Sequence, residues 1–283
     1  MSETIPARGI PGQSSTSILG NAVLRREDAT LIRGRGEFVA NQPFDDLIHA
    51  HFVRSTAAHG EILSIDVEDA RSMPGVVAVY TAADLGLDDR PPPMGFYAAE
   101  AIRPFLARDR VRFVGEPLAV VVAETAYQAA DAVESVRADV EPLTAVVSLD
   151  DAVAAETVLF PDRDDNVMWQ IPSAGAIDFS GCEVVVTEKL WNSRVAAVSI
   201  EPRVVAASFA DGKLTYWASS QGTHDFRDGA AKCLGMDPAD VRVLVKDVGG
   251  GFGAKGMVSE EEVIVGQLAR LIGRPVRWVE SRT

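Results

Sequence analysis

Between a predicted strand and a predicted helix the chain reads Val248-Gly249-Gly250-Gly251-Phe252-Gly253-Ala254-Lys255-Gly256. Glycines at this density let the backbone approach a ligand closely, and their amides can hydrogen-bond oxygens on it. A bound anion or oxo group is the chemistry such a loop serves. A P-loop needs Gly before the Lys and Ser or Thr after it, because the hydroxyl holds magnesium; Ala254 and Gly256 stand in those places, so that reading fails twice. The dinucleotide fingerprint fits better, since Gly249, Gly251 and Ala254 match G-x-G-x-x-A and Glu280 ends the next predicted strand. Against it, one strand-helix-strand unit cannot bury both faces of a parallel sheet. A glycine-rich turn without a ligand is the third reading.

Other residues offer less. His49 and His51 share one strand face, a spacing that can hold a metal, but no third ligand is evident. Cys182 and Cys233 are the only cysteines, far apart and without a C-x-x-C pair, so they build neither a zinc site nor an iron–sulfur cluster. His224 reads as a solvated loop histidine or a neighbour of Gln221. Lys255 reads as a phosphate contact or as a solvent-facing lysine at a helix start. Trp191, Trp217 and Trp278 fall in predicted strands and read as core or interface residues.

The elements that position these residues are legible as patterns. Strands are expected over Arg33–Val39, Leu47–Arg54, Glu61–Val67, Val76–Tyr80 and the apolar run Leu118–Ala123, the last buried. Pro91 through Pro104 is a loop. Thr125 with Gln128 caps a helix running to about Ala138, and Arg137–Val147 returns extended. The acidic stretch from Phe160 to Asn166 reads as a domain boundary. Beyond it, Glu183–Trp191 alternates like a strand, and Val204–Phe209 joins Lys213–Ala218 through the hairpin signal Asp211-Gly212. Phe226–Leu234 is a helix ended by Gly235, Val241–Val248 a strand, Ser259 with Glu262 caps a helix to Ile272, and Val276–Glu280 is a last strand.

The chain of 283 residues carries a formal net charge of -14, which opposes binding to nucleic acid or an anionic membrane. Hydrophobic residues at 47% and charged residues at 24% are ordinary for a folded protein. Residues 1–17 hold Pro6, Pro11 and several Ser and Thr without an apolar run, and read as a flexible arm rather than a secretory signal. No segment is apolar over a bilayer's width, and a cytoplasmic location is the expectation.

Two motifs taken together are more specific than either alone. Ser219-Ser220-Gln221-Gly222-Thr223-His224, followed by a helix and then Val245 through Lys255, resembles the S-[ST]-Q segment and GGGFG loop of molybdenum hydroxylase large subunits, the xanthine dehydrogenase, aldehyde oxidase and carbon monoxide dehydrogenase family. Gly20 through Asp28 with Gly34-Arg35-Gly36-Glu37-Phe38 resembles that family's opening. Phe113-Val114-Gly115-Glu116-Pro117 resembles its hammerhead domain, and Ile200-Glu201-Pro202-Arg203 and Gly273 through Arg282 also match. The resemblance implies an α+β chain: a flexible arm at 1–17, an a/b hammerhead domain over 18–160, and an incomplete molybdopterin cofactor-binding domain over 167–283.

It implies further that Gln221, Gly250, Gly251, Phe252 and Gly253 bind a molybdenum–molybdopterin cofactor, in the cytosine dinucleotide form common in bacterial members. No residue here is expected to coordinate the metal directly. The general base is expected outside this chain, and no catalytic residue is assigned within it. Members oxidise aldehydes, heteroaromatic compounds or carbon monoxide with oxygen drawn from water, passing electrons through [2Fe-2S] clusters to FAD on partner subunits. The implied partners are therefore the C-terminal remainder of the large subunit, an iron–sulfur subunit and an FAD subunit. Gly256 stands where purine-binding members carry a glutamate, which points away from a purine substrate. On this reading the isolated chain is inactive. The rival reading is a non-catalytic assembly module or truncated product that lacks the cofactor.

Overall fold

The computed structural model describes residues 24–93, 95–171, 175 and 177–282. The arm over 1–17 and the Gly20-Asn21-Ala22-Val23 part of the opening motif lie outside the described residues. Contacts divide the chain between Glu37 and Phe38. In the first unit the described part holds one helical turn, α1 (Asp28–Leu31), with Asp28 favourably placed at its N-terminus. The strand expected over Arg33–Val39 does not form. Gly34 turns the backbone at φ +68°, and Val39 begins a short 3-10 turn to Asn41 in the second unit.

That second unit is of the expected α+β class, built on a mixed seven-stranded sheet. Its strands are β1 (Ile48–Arg54), β3 (Val76–Thr81), β5 (Pro117–Ala123), β7 (Val204–Ala210), β8 (Lys213–Ala218), β9 (Val241–Leu244) and β10 (Val276–Val279), in the order β3-β5-β1-β10-β7-β8-β9. A smaller sheet pairs β4 (Arg110–Val111), β2 (Gly60–Asp66) and β6 (Arg137–Pro142) in the order β4-β2-β6. The continuous apolar run of β5 is explained by burial of all seven residues. Val120 and Val122 face one core, and Ala119 and Val121 face another. Two opposite faces buried at once is what removes the polar half of an alternating pattern.

Among the described residues four helices pack on these sheets. The short α2 (Glu68–Arg71) and α3 (Ala126–Val133) lie over the core that holds Val53, Val79 and Val121. Thr125 caps α3 by accepting from the Gln128 amide, and the helix stops at Val133, earlier than expected, because β6 begins at Arg137. A turn of helix not foreseen, α4 (Leu149–Ala154), is capped by Ser148 accepting from Asp151 N. On the opposite face lie α5 (Thr223–Leu234) and α6 (Glu260–Ile272), both ended by left-handed glycines, Gly235 and Gly273, as expected. Helix α6 opens with a reciprocal capping box between Ser259 and Glu262. It buries Val263, Ile264, Val265 and Leu268 against Leu214 and Tyr216, each contributing roughly 1.5–3 kcal/mol of transfer free energy.

The acidic stretch at 160–166 divides the sequence pattern but not the sheet. Strand β10 pairs in parallel with β1 (Ile48 opposite Val276) and antiparallel with β7 (Val276 opposite Ala207), so segments from both sides of 160–166 share one sheet. Phe52 and Trp278 meet edge to face across this seam, 5.6 Å between ring centres. The strand expected over Glu183–Trp191 is absent: no described residue from 183 to 203 belongs to a strand. Val184, Val186, Leu190 and Trp191 are 76%, 76%, 90% and 71% exposed. The residues alternate, but no neighbouring strand completes a ladder for them among the described residues. Trp191 therefore joins no core, whereas Trp278 is buried and Trp217 packs on Phe44.

Candidate functional site

Strand β8 ends at Ala218 and runs through Ser219, Ser220 and Gln221 into α5; β9 ends at Leu244, earlier than expected, and the glycine loop then crosses back toward that segment. The chain bends away because Gly249 N–H donates to Glu201 Oε2 (2.8 Å) and Gly249 O accepts from Glu201 N (3.2 Å). Continuation of β9 to Val248 would forfeit both bonds. Gly250 and Gly253 take φ +97° and +88°, a region open to glycine at no cost. Phe252 takes φ +51° without that freedom, and its side chain is 78% exposed with its ring edge against Gly250. A non-glycine residue held left-handed with an apolar ring in solvent is strained in both respects, and such strain concentrates at ligand clamps.

Gln221 meets this loop directly. Its side-chain oxygen accepts from Gly253 N (3.0 Å) and Lys255 N (3.2 Å), and its own amide N–H donates to Lys255 O (2.9 Å). Gly251 is required for the approach, because a Cβ there would lie 2.6 Å from the Gln221 side-chain carbonyl. Two backbone donors on the oxygen fix the amide's orientation, so Nε2 is the edge left to donate outward. The structure thus brings together Gln221, Gly250, Gly251, Phe252 and Gly253, with Gln221, Phe252 and Gly253 exposed and Gly251 buried beneath the glutamine.

Lys255 does neither of the things expected of it. It is 3% exposed, and Nζ donates to Ser219 Oγ (2.7 Å), Glu201 O (2.9 Å) and Glu201 Oε2 (3.1 Å). All three ammonium protons are committed, and none is left for a phosphate. The residue missed by sequence reasoning is its partner Glu201, whose only signal was its place in Glu201-Pro202-Arg203. Arg203 in turn pairs with Glu280 (2.9 Å) and donates to Ala254 O (2.8 Å), holding the loop's outer side.

These pairings remove the nicotinamide reading. Glu280 is occupied by Arg203 and by the Arg203 backbone N–H (2.9 Å), so it does not present a free carboxylate for a ribose. The glycines do not open α6, which starts only at Glu260, and β9 and β10 are separated in the sheet by β8 and β7. A dinucleotide crevice needs the glycine turn at the helix N-terminus beside the following strand.

The remaining candidates separate from the loop. His49 and His51 lie half-buried in β1, and burial, with Arg277 near the first and Arg54 near the second, holds both imidazoles below their ordinary pKa. His224 is exposed in the first turn of α5. Glu260 pairs with Arg90 and Arg103, and Glu261 with Arg54, so the acidic first turn of α6 is matched by arginines as well as by the helix N-terminus. Glu262 is buried, and burial pushes its carboxyl up to about 7. Among the described residues no three of His, Cys, Asp and Glu gather as a metal-ligand set.

Comparisons with known proteins agree on a family. The model described as aldehyde oxidase and xanthine dehydrogenase, a/b hammerhead domain, matches residues 33–144, and the molybdopterin cofactor-binding domain model matches residues 159–283. The nicotine 6-hydroxylase large subunit of Paenarthrobacter nicotinovorans is 37% identical over 280 residues, covering 94% of this chain and 34% of that protein. The carbon monoxide dehydrogenase large chain of Hydrogenophaga pseudoflava is 32% identical over 91% of this chain and 34% of its own length. The solved structure of quinoline 2-oxidoreductase from Pseudomonas putida 86 superposes with a TM-score of 0.83 at 34% identity, covering 92% of this chain and 34% of that one. The chain thus spans about a third of the length of these relatives. With the hammerhead and molybdopterin cofactor-binding models matching in succession, the chain belongs to the molybdenum hydroxylase large-subunit family of xanthine dehydrogenases, aldehyde oxidases and carbon monoxide dehydrogenases.

Proposed function

We propose that this chain forms the N-terminal portion of the large subunit of a molybdenum-cofactor-dependent hydroxylase, active when a C-terminal partner completes it and inactive alone. The observation that carries the reading is the fixed amide of Gln221: its oxygen is held by Gly253 N and Lys255 N, which leaves its NH2 group as the donor for a bound oxygen. The face made by Gln221 and the loop fits a group with oxo ligands. It offers a hydrogen-bond donor without a charge to compete for the metal, and Gly250 and Gly251 permit close backbone approach. A Cβ on Gly253 would meet nothing within 4 Å, so open space lies on that side of the loop.

In this reading Gln221 donates to an oxygen of the bound group, Gly250 and Gly251 admit it, and the strained Phe252-Gly253 pair walls one side and excludes water from it. When bound, the molybdenum–molybdopterin group supplies the two-electron oxidation and the path for water-derived oxygen. The protein's share is orientation and electrostatics. The cytosine dinucleotide form, an iron–sulfur subunit with [2Fe-2S], an FAD subunit and a cytoplasmic location belong to the same proposal. Glu201, Glu260, Glu261 and Glu280 are tied to cations and Glu262 to its cap, so the general base is placed in the completing partner rather than on these carboxylates. Relatives named for nicotine and quinoline favour a heteroaromatic substrate over an aldehyde or carbon monoxide.

The exposed apolar run from Val184 to Trp191 suits docking, which a non-catalytic assembly module would also use. Molybdenum content separates the two. Purified from its host with its partners, the chain should carry molybdenum together with flavin and iron–sulfur polypeptides and oxidise a heteroaromatic ring. A partnered but molybdenum-free complex would leave only the assembly module.

A further inference from the structure

We infer that Glu201 and Lys255 are positioning residues, a buried ion pair that sets where Gln221 and the Phe252-Gly253 backbone stand; this rests on the proposed use of that face. Three segments build the face, and all three converge on one oxygen. Glu201 Oε2 accepts from Gly249 N–H at the loop's entry (2.8 Å), from Lys255 Nζ at its exit (3.1 Å) and from Ser219 Oγ in the segment leading to Gln221. One carboxylate oxygen therefore closes the loop's two ends onto the strand that delivers the glutamine.

The link from that oxygen to the Gln221 side chain passes through Lys255. The lysine's side chain is held by Glu201 and Ser219, while its backbone bonds Gln221 twice, O accepting from Gln221 N (2.9 Å) and N donating to Gln221 Oε1 (3.2 Å). Moving Nζ moves the peptide groups that orient the glutamine amide. Contact there is already at its limit, since a Cβ on Gly249 would lie 2.4 Å from Glu201 Cβ. Burial makes the arrangement costly as a stabiliser: the two side chains are 1% and 9% exposed, and Glu201 Oε1 is buried with no hydrogen-bond partner. Apolar residues of similar volume usually stabilise as well or better, whereas a buried pair specifies one geometry. Here the geometry it specifies is that of the face.

The test compares the wild type with Glu201→Gln/Lys255→Met, which removes both charges together, and with the milder Ser219→Ala. In the native complex at equal molybdenum content, the double variant should keep its melting temperature, lose at least about tenfold in kcat with little change in KM, and show an altered Mo(V) electron paramagnetic resonance signal. Wild-type turnover and signal in that variant would reduce the pair to packing. A second readout needs no cofactor. In the chain itself the Gly253 and Lys255 amides should exchange hydrogen at least about tenfold faster in the double variant, and measurably faster in Ser219→Ala, while amides in the middle of α6 stay unchanged. Unchanged exchange at both amides would overturn the inference. If the wild-type complex holds no molybdenum, the proposed function fails, and amide exchange still decides the positioning role.

Discussion

Two stretches of irregular backbone meet beside β7, and they differ in how their polar and apolar groups are settled. The loop from Val245 to Ser259 has no ladder, yet Glu201 and Gln221 accept from its Gly249, Gly253 and Lys255 amides, and Lys255 O accepts from Gln221 N. The run from Glu183 to Ile200, strand-like in its alternation as far as Trp191, leaves Val184, Leu190, Val195 and Ile200 in solvent, the last 95% exposed. Irregular backbone acquires one conformation when its own polar groups are paired. An alternating apolar pattern acquires none until something covers it. The first is a site in waiting for a ligand; the second is a surface in waiting for a chain.

The comparison breaks most visibly at Lys255. Lys255→Met alone leaves the Glu201 carboxylate buried without its cation and should cost about 3–5 kcal/mol in denaturant unfolding. A loss below about 1 kcal/mol would mean that the loop is not held as described. Gly249→Ala tests the same closure by sterics. A methyl 2.4 Å from Glu201 Cβ and 3.2 Å from Glu201 N must push the loop away, at about 1–3 kcal/mol.

A smaller effect sits at the loop's exit into α6. Burial raises the Glu262 carboxyl from 4.5 to about 7, so the folded state holds its proton more tightly than the unfolded chain. That contribution to stability is fully present below about pH 4.5 and is lost as pH rises through about 7. Stability should therefore fall more steeply across this window in the wild type than in Glu262→Gln, read as the difference of two unfolding profiles. Equal slopes would place the proton elsewhere. The smallest effect belongs to the other stretch. Leu190→Ser with Trp191→Ser should change the stability of the isolated chain by less than about 0.5 kcal/mol, because neither side chain leaves solvent on folding. A larger loss would show that the run is already covered.

What was legible in the sequence was local or strongly periodic. The Ser259–Glu262 capping box, the Asp211-Gly212 hairpin and the left-handed Gly235 and Gly273 are each decided within a few residues. The Gln221 and GGGFG segments were legible as a pair, though only by resemblance. Their meeting depends on contacts more than thirty residues apart, such as Gly253 N to Gln221 Oε1, which no spacing rule specifies. Lys255 and Glu201 were illegible for the same reason: their bond links positions 54 apart, and a lysine beside glycines looks like a surface residue until its partner is known. The expected strands at 33–39 and 183–191 failed for two different reasons. Gly34 turns the first, and the second has the pattern of a strand but no neighbour to pair with.

The seam between β1 and β10 also imposes an order of events during synthesis. Ile48 leaves the ribosome long before Val276, its partner in the parallel pair, and β7 waits for the same strand on its other side. Until β10 arrives, the nascent chain carries two open sheet edges within its largest apolar core, at a separation where loop closure makes pairing slow. Translation thus passes through a long interval of exposed β-edges at Ile48–Ala50 and Val204–Ala207, and a pause or nick before residue 276 would leave those edges open to aggregation.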